Sequence, residues 1–147
     1  MIQESNIFID ITTEPLDVAK LYQFAVCKEV GAVDLFVGTV RNEFEGRSVN
    51  GIEYHGFPEM AERLLSDICK KAIGEWNIQK IAIQHRIGYL QLTEASVIVA
   101  VSSAHRHEAF TACRFIMEEI KSKIPIWKKE YFANGSVEWK HDVKKIQ

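Results

Sequence analysis

The sequence predicts an α+β fold in which about three helices pack on a mixed or antiparallel sheet. Segments with helical periodicity alternate with β-branched and aromatic segments along the chain. Several predicted strands are joined by tight hairpins, which a purely parallel sheet does not allow. The 147 residues, 47% of them hydrophobic, contain no repeat or low-complexity linker, so we expect a single domain spanning residues 1–147.

The predicted elements begin with a short β-type run at residues 7–11. Pro15 suits the first turn of a helix, and an apolar face at helical spacing continues to about Cys27. Residues 32–41 are mostly apolar on both faces, which is typical of a central strand, and this segment ends on Arg41.

A polar hairpin loop follows at residues 42–47, and residues 49–55 return as a strand. Residues 56–76 open with Gly-Phe-Pro-Glu and continue as a long amphipathic helix. Two more strands are predicted at residues 78–87 and 96–103, the second again apolar on both faces. The segment between these two strands must contain a turn.

The third predicted helix starts near residues 102–106, where a serine is available as its N-cap. This helix ends at about Lys123, because Pro125 has no N–H and pushes its predecessor out of the α region. Residues 126–132 mix β-branched and aromatic side chains and predict a strand. An Asn-Gly hairpin turn then joins this strand to residues 137–139.

The composition excludes several classes of function. With 18 basic and 20 acidic residues, no global charge attracts the protein to nucleic acid or to an anionic membrane. Cys27, Cys69 and Cys113 lie far apart, so we expect buried free thiols and neither a disulfide framework nor a structural zinc site. Because no targeting segment and no long apolar span is present, we expect a cytoplasmic protein without membrane association.

A basic segment at residues 121–130 reads K-S-K-I-P-I-W-K-K-E and places four lysines around its proline. Lys121 closes a predicted helix and Lys128 lies on the predicted strand that follows, so two amines can meet at one corner and favour an anion there. The alternative is a group of solvated lysines beside a core Trp127, which is the commoner outcome for an arbitrary lysine cluster.

Other basic residues lie at the ends of predicted elements. His105 and Arg106 open a helix, where unpaired N–H groups and the helix dipole favour a phosphate, although pairing with the nearby Glu108 is an equal alternative. Arg41 lies beside a glycine-containing loop, a frequent place for ligand contacts, although a strand-end arginine is more often solvated. For His85, which forms another basic pair with its neighbour at a strand end, we favour a structural role.

Established motifs for metal, nucleotide and hydrolase sites are absent from the sequence. His105 and His107 point to different sides of a helix, so we do not expect a metal site. No G-x-S-x-G, P-loop or dinucleotide fingerprint occurs, and we expect no cofactor. Lysines interleaved with aromatic residues at positions 126–132 are also compatible with a single-stranded nucleic-acid platform, which the acidic net charge of −2 disfavours.

Four segments, taken in order, carry a resemblance to a known family: G-T-V-R-N at residues 38–42, H-R-I-G at 85–88, S-S-A-H-R at 102–106, and the basic segment at 121–130. Together they resemble the large, catalytic subunit of molybdopterin synthase, over nearly the whole chain. The resemblance implies an α+β fold and a sulfurtransferase that adds two sulfurs to cyclic pyranopterin monophosphate, forming the dithiolene of the molybdenum cofactor. Each sulfur comes from the thiocarboxylated C-terminal Gly-Gly tail of a small ubiquitin-like partner, within a heterotetramer built on a central homodimer.

The resemblance also implies which residues contact the substrate: Thr39, Val40, Arg41, His105, Arg106, Lys121, Lys128, Lys129 and Glu130. Activity is expected to depend most on Lys121 and Lys128. A cyclic phosphate needs cations, and opening its ring needs charge neutralised on the leaving oxygen. We therefore expect Lys121 to act in proton transfer or, alternatively, as an amine nucleophile, and Lys128 to position the thiocarboxylate or the pterin. Five of these residues are expected to converge on one cavity: Arg41, His105, Arg106, Lys121 and Lys128.

Three departures from the family pattern accompany this resemblance. Residues 55–58 read H-G-F-P where an acid and a tyrosine are more usual, and Thr93 replaces a usual turn glycine. The C-terminal spacing is shifted, so no ligand is carried over there, although Lys140, Lys144 or Lys145 can reach a neighbouring subunit's pocket. The rival hypothesis is a non-catalytic phosphometabolite or nucleic-acid binding module that uses the same basic corner.

Overall fold

The structure, a computed structural model, describes residues 1–140. This part of the chain contains three helices and ten strands, as the α+β prediction requires. The helices are α1 (Val18–Ala25), α2 (Pro58–Glu75) and α3 (Arg106–Lys123). The strands are β1 (Ile2–Gln3), β2 (Ile7–Thr12), β3 (Ala32–Thr39), β4 (Glu43–Phe44), β5 (Arg47–Gly56), β6 (Ile78–Arg86), β7 (Gly88–Gln91), β8 (Ala95–Ser103), β9 (Ile126–Phe132) and β10 (Val137–Lys140).

The first sheet has the strand order β1-β2-β6-β8-β3. Strands β2 and β6 are parallel, and the other pairs in this sheet are antiparallel. The central strands β6 and β8 are almost continuously buried, because helices cover both faces of the sheet. Helices α2 and α3 pack on one face around Leu65, Ile83 and Ile116, and α1 packs on the opposite face around Leu21 and Ile98.

The second sheet has the order β10-β9-β5-β4, with β7 also pairing with β5. Its pairs are all antiparallel, and its small core contains Val49, Ile52, Leu90 and Phe132. The predicted hairpin between β9 and β10 is present, and β4 and β5 form another. Helix α3 connects the two sheets, since it follows β8 of the first sheet and precedes β9 of the second.

The boundary between α3 and β9 is where the sequence predicted it. Helix α3 ends at Lys123, Ile124 is its C-cap, and β9 begins at Ile126 directly after Pro125. The proline thus changes the chain direction within a few residues, so that a helix end and a strand start lie side by side.

Four local predictions were wrong. Strand β3 was predicted to be central but is an edge strand in the described chain, with Phe36 and Val37 exposed. The prediction failed because periodicity shows that a strand is apolar but not which neighbouring strand or helix covers it. Helix α1 starts after Asp17, which caps it, so Pro15 lies before the helix, and the helix ends at Ala25 rather than near Cys27.

The predicted turn between β6 and β8 is present at residues 92–93, after strand β7, which pairs with β5. The other two corrections concern residues 42–47 and the start of α3. Residues 42–47 were expected to be the loop that joins the strands at 32–41 and 49–55, but they contain β4, and β3 and β5 lie in different sheets. The N-cap of α3 is His105 and makes no side-chain cap bond. The serine hydroxyls instead donate into the sheet region, from Ser102 to the Lys80 carbonyl and from Ser103 to the Asn77 carbonyl. Among residues 1–140, no helix is long and apolar enough to cross a membrane.

Candidate functional site

A cavity of about 270 Å³ opens where the two sheets meet beneath α3. Five elements line it: the end of β3, the β4–β5 hairpin, the start of β8, the C-terminal half of α3, and β9. Of the predicted site residues, the cavity brings together Thr39, Arg41, Lys121, Lys128 and Glu130. Three of these are cations from three different parts of the chain. They outnumber the two carboxylates of the lining, Glu43 and Glu130, so the cavity has a net positive charge that favours an anion.

Lys121 and Lys128 reach the cavity from opposite sides of Pro125. Lys121 lies in the last turn of α3, and Lys128 lies on β9 with a side chain that is only 14% exposed. The prediction that these two lysines share a corner is confirmed by their common cavity.

Glu130 places a buried carboxylate beside Lys128. Residues two apart on a strand point to the same face, and here the Lys128 amine lies 3.9 Å from a Glu130 carboxylate oxygen. Glu130 is 1% exposed, so its negative charge offsets the burial of the lysine and helps to hold the amine at the cavity wall.

A β-bulge directs Arg41 towards the cavity. The register of β3 against β8 shifts between Gly38 and Thr39, and a Cβ atom at Gly38 would lie 2.8 Å from Cγ1 of Val97. Only glycine therefore fits here without displacing the Val97 side chain. The Ser96 hydroxyl donates to the Gly38 carbonyl at 3.2 Å and holds the bulge against β8.

Val40 does not line the cavity, contrary to the expectation that it contacts the substrate. Its side chain is 2% exposed and belongs to the core of the second sheet. Its N–H donates to the Glu94 carbonyl at 3.0 Å, and its carbonyl accepts from the Thr93 N–H at 2.7 Å. Val40 therefore anchors the backbone beside Arg41 and does not present a group to the cavity.

The β4–β5 hairpin forms an aromatic wall that the sequence analysis missed. The Lys128 amine lies 5.6 Å from the centroid of the Phe44 ring, and the Lys140 amine lies 5.0 Å from the same centroid. Lys140 is the direct cross-strand partner of Lys128 and forms a 3.3 Å ion pair with Glu138. Lys140 thus contacts its own chain's hairpin, whereas Lys144 and Lys145 lie outside the described residues.

His105, Arg106 and Lys129 do not line this cavity, so a single chain does not bring His105 and Arg106 together with the cavity residues as expected. Arg106 and Lys121 lie at opposite ends of the 18-residue helix α3, about 22 Å apart at a rise of about 1.5 Å per residue. Lys129 points to the other face of the second sheet, where its amine lies 5.2 Å from the centroid of the Trp139 ring.

Nucleophilic cysteine chemistry is disfavoured for two of the three free thiols. Burial raises the pKa of the Cys69 thiol to about 12, and burial together with the nearby Asp34 raises the pKa of the Cys113 thiol to about 12. A thiolate is the reactive form, so neither side chain is suited to carry sulfur. Cys27 is partly exposed, which differs from the predicted burial.

A smaller cavity of about 40 Å³ lies beside the main one and shares Lys121 with it. His85 also lines the smaller cavity and is 7% exposed. Within residues 1–140, no group of three or more His, Cys, Asp or Glu side chains is arranged to hold a metal ion.

The sequence matches the family described as MoaE protein over residues 11–123. The molybdopterin synthase catalytic subunit of Arabidopsis thaliana is 42% identical over 142 residues, covering 95% of this chain and 71% of the relative. The subunit of the same name from Thermoplasma volcanium is 40% identical over 134 residues, covering 91% of this chain and 98% of the relative.

Two solved structures extend the comparison to the fold. Molybdopterin synthase from Staphylococcus aureus superimposes with a TM-score of 0.83 at 33% identity, covering 95% of this chain and 98% of that one. A complex of subunits 1 and 2 of the molybdopterin-converting factor from Helicobacter pylori gives a TM-score of 0.72 at 23% identity, covering 90% of this chain and 88% of that one. At that identity the second similarity concerns the fold alone.

Proposed function

This chain belongs to the MoaE family of molybdopterin synthase catalytic subunits, and we propose that it holds the active site in which two sulfurs are added to cyclic pyranopterin monophosphate. The observation that carries this proposal is the shared cavity of Arg41, Lys121 and Lys128. The rival hypothesis of a non-catalytic binding module rests on the same cations but has no support from the relatives, which are enzymes.

The cyclic phosphate is proposed to bind the cations of the cavity. Arg41 and Lys128 offer N–H donors to phosphate oxygens, and Thr39 adds a hydroxyl. Phe36 and Phe44 line the same cavity and offer apolar surface to the flat pterin. The cavity volume of about 270 Å³ is close to the lower end, about 300 Å³, of ordinary small-molecule sites.

Lys121 is proposed to transfer the proton that the chemistry requires. When the thiocarboxylate sulfur attacks the substrate, the cyclic phosphate opens and negative charge develops on the leaving oxygen. An ammonium group neutralises that charge and gives the oxygen a proton. Water then cleaves the remaining acyl link, which leaves the sulfur on the substrate and a carboxylate on the partner's tail. Lys128, held beside Glu130, keeps the reacting groups in position.

The proposed sulfur donor is a small ubiquitin-like partner with a thiocarboxylated C-terminal Gly-Gly tail. A tail without side chains fits a narrow entrance, and the apolar residues Phe36 and Met117 beside the cations suit a threaded backbone. The proposed assembly is a heterotetramer in which two copies of this chain form a central homodimer. The exposed Phe36 and Val37 on the edge strand β3 support pairing of this kind.

Within such a homodimer, His105 and Arg106 are assigned to the cavity of the neighbouring copy. They lie at the far end of α3 from their own chain's Lys121, so a second copy is needed for them to contact the same substrate. This assignment reconciles the predicted substrate contacts with the length of the helix. We further propose a cytoplasmic location, which three free cysteines support because a reducing compartment keeps thiols unpaired.

Reconstitution tests the proposal. The purified chain, a thiocarboxylated Gly-Gly partner and cyclic pyranopterin monophosphate are expected to yield a product in which two sulfurs have been incorporated, detected by mass spectrometry. The matched control is the same partner with an ordinary C-terminal carboxylate, which is expected to give no product. An unchanged substrate mass with the thiocarboxylated partner would refute the proposed function.

A further inference from the structure

His85 lies buried behind Lys121, in a position that the reaction described above does not use. It is on β6, opposite Val97 of β8, and its ring meets the Tyr54 ring edge-on with centroids 5.2 Å apart. Three ionisable groups, from three different elements, line the 40 Å³ cavity beside Lys121: Tyr54 from β5, His85 from β6 and Lys121 from α3. The remaining lining is apolar except for Ser96.

The hydrogen bond made by His85 defines one tautomer of its ring. Nδ1 lies 2.9 Å from the backbone carbonyl oxygen of Arg86. A carbonyl only accepts, so Nδ1 must carry the proton and donate it. In the neutral ring Nε2 is then the nitrogen that can take up or release a further proton.

The small cavity has room for a water molecule. Its 40 Å³ exceeds the about 10 to 15 Å³ that a cavity needs to hold one. A water there finds polar groups on His85, Ser96 and Lys121, which is the number of partners that buried waters usually have. In the proposed reaction, substrate and tail fill the main cavity. The small cavity then offers a separate route by which a proton can reach Lys121.

We propose that His85 is a positioning residue for sulfur transfer, which returns a proton to Lys121 through a water molecule in the small cavity. The proposal rests on the proposed function, because Lys121 needs a new proton only after giving one to the leaving oxygen. His85 first takes up a proton from solvent at Nε2 and becomes an imidazolium. The Nε2–H bond then breaks, the water passes on a proton, and a new N–H bond forms on Nζ of Lys121. His85 ends neutral, and no electrons are exchanged.

The first test replaces His85 by Asn, whose amide can still donate to the Arg86 carbonyl but cannot carry the proton. We expect kcat for product formation to fall about 10²-fold, the lower end of what positioned proton transfer contributes, with KM unchanged. The control is His55→Asn, because the His55 ring lies against Trp139 on the opposite face of the second sheet. That variant is expected to retain the wild-type rate.

The decisive test places His85→Asn in a Lys121→Arg background. An arginine does not release its proton, so the second substitution is expected to change the residual single-turnover rate less than about twofold, as for residues acting as one unit. A merely structural role of His85 predicts the full loss again in this background, and that result would overturn the inference. If the wild type transfers sulfur and His85→Asn does so at the same rate, the inference is overturned and the proposed function stands. If the wild type transfers no sulfur, both the inference and the proposed function are overturned.

A spectroscopic measurement covers the case in which His85→Asn does not fold. In the full chain with ¹⁵N-labelled histidine, Nδ1 of His85 is expected to stay protonated while Nε2 gains its proton as the pH falls. This titration is expected to move to higher pH in Lys121→Ala, because a neighbouring positive charge has been removed. Ring signals that do not respond to Lys121→Ala would contradict the proposed coupling.

Discussion

The guanidinium of Arg86 lies 2.6 Å from the carboxylate of Glu94, and this ion pair ties the end of β6 to the turn before β8. The backbone carbonyl of Glu94 accepts from Val40, next to the cavity residue Arg41. Arg86→Ala is therefore expected to lower the free energy of unfolding by about 1.5 kcal/mol, the lower end of the range for hydrogen bonds to charged groups. It is also expected to raise KM for the cyclic substrate.

Chemical denaturation and steady-state kinetics measure these two effects. The control is Arg114→Ala, which removes a pair with Glu118 whose side chains are 83% and 66% exposed. That change is expected to alter stability by less than about 0.5 kcal/mol. An Arg86→Ala variant as stable as the control would show that the turn does not depend on the pair.

Thr93 has a backbone φ of 74°, a conformation that a β-branched residue adopts only with strain. Thr93→Gly is expected to stabilise the protein by about 1 kcal/mol, because relief of about 1 to 3 kcal/mol of strain exceeds the entropy cost of glycine. Thermal denaturation measures the change. Thr93→Val, which keeps the branch, is expected to give no gain, and an equal gain from valine would rule out backbone strain as the cause.

Lys121→Ala and Lys128→Ala are each expected to lower sulfur transfer at least about 10²-fold, since both remove a cation from the cavity. The matched control is Lys123→Ala on the same helix turn, because Lys123 pairs with Glu119 at 2.7 Å and lines neither of the two cavities. Product formation measured by mass spectrometry, with circular dichroism to verify folding, separates chemistry from stability. Equal losses in all three variants would contradict the assignment.

Hybrid dimers test whether two copies share one site. Lys121→Ala and Arg106→Ala chains are each expected to be nearly inactive alone. Mixed and allowed to exchange, they are expected to recover about a quarter of the wild-type rate, because about half of the dimers are hybrids with one intact site each. Chains that fail to regain activity despite demonstrated exchange would show that Arg106 does not serve a neighbouring cavity.

The Tyr131 hydroxyl donates to Glu53 at 2.6 Å and, with help from His55, holds the Glu53 pKa below its ordinary value of 4.5, although burial acts in the opposite direction. A lowered pKa in the folded state contributes stability above that ordinary value and loses it as the pH falls through the folded value. The Tm difference between the wild type and Tyr131→Phe is therefore expected to be largest at neutral pH and to become smaller in acid.

Thermal denaturation between neutral pH and about pH 3 measures this trend. Tyr89→Phe is the control, since Tyr89 packs on Tyr131 with ring centroids 5.2 Å apart. Its Tm difference is expected to depend less on pH. A Tyr131→Phe difference that persists unchanged in acid would mean that the Glu53 carboxylate is not its source.

Local chemistry explains which parts of the fold and site were predictable. Pro125 has one physical effect wherever it occurs, so the end of α3 and the pairing of Lys121 with Lys128 at one corner followed from the sequence. The exposure of β3 did not follow, because the order of strands in a sheet is a long-range property. The Phe44 wall depends on how a hairpin folds back over a neighbouring strand, which no local pattern encodes.

The periods of helix and strand alone could have shown that some expected site residues do not line the cavity of their own chain. The predicted helix already placed Arg106 and Lys121 at opposite ends of a rod of about 22 Å. Alternation along a strand already placed Lys129 on the face opposite Lys128 and Glu130. The resemblance named residues that contact a substrate but not the chain that supplies each of them, and applying the two periods would have separated these groups.

Lys121 and Lys128 belong to different elements, the helix α3 and the strand β9, with Pro125 between them. The gap between the two amines therefore depends on how the helix layer sits against the second sheet, and not on the internal geometry of either. A slight hinging of one against the other widens or narrows that gap while every ladder of backbone hydrogen bonds stays whole. Because this gap is adjustable, we expect the same binding site to accommodate both cyclic pyranopterin monophosphate and the larger intermediate that already carries one sulfur.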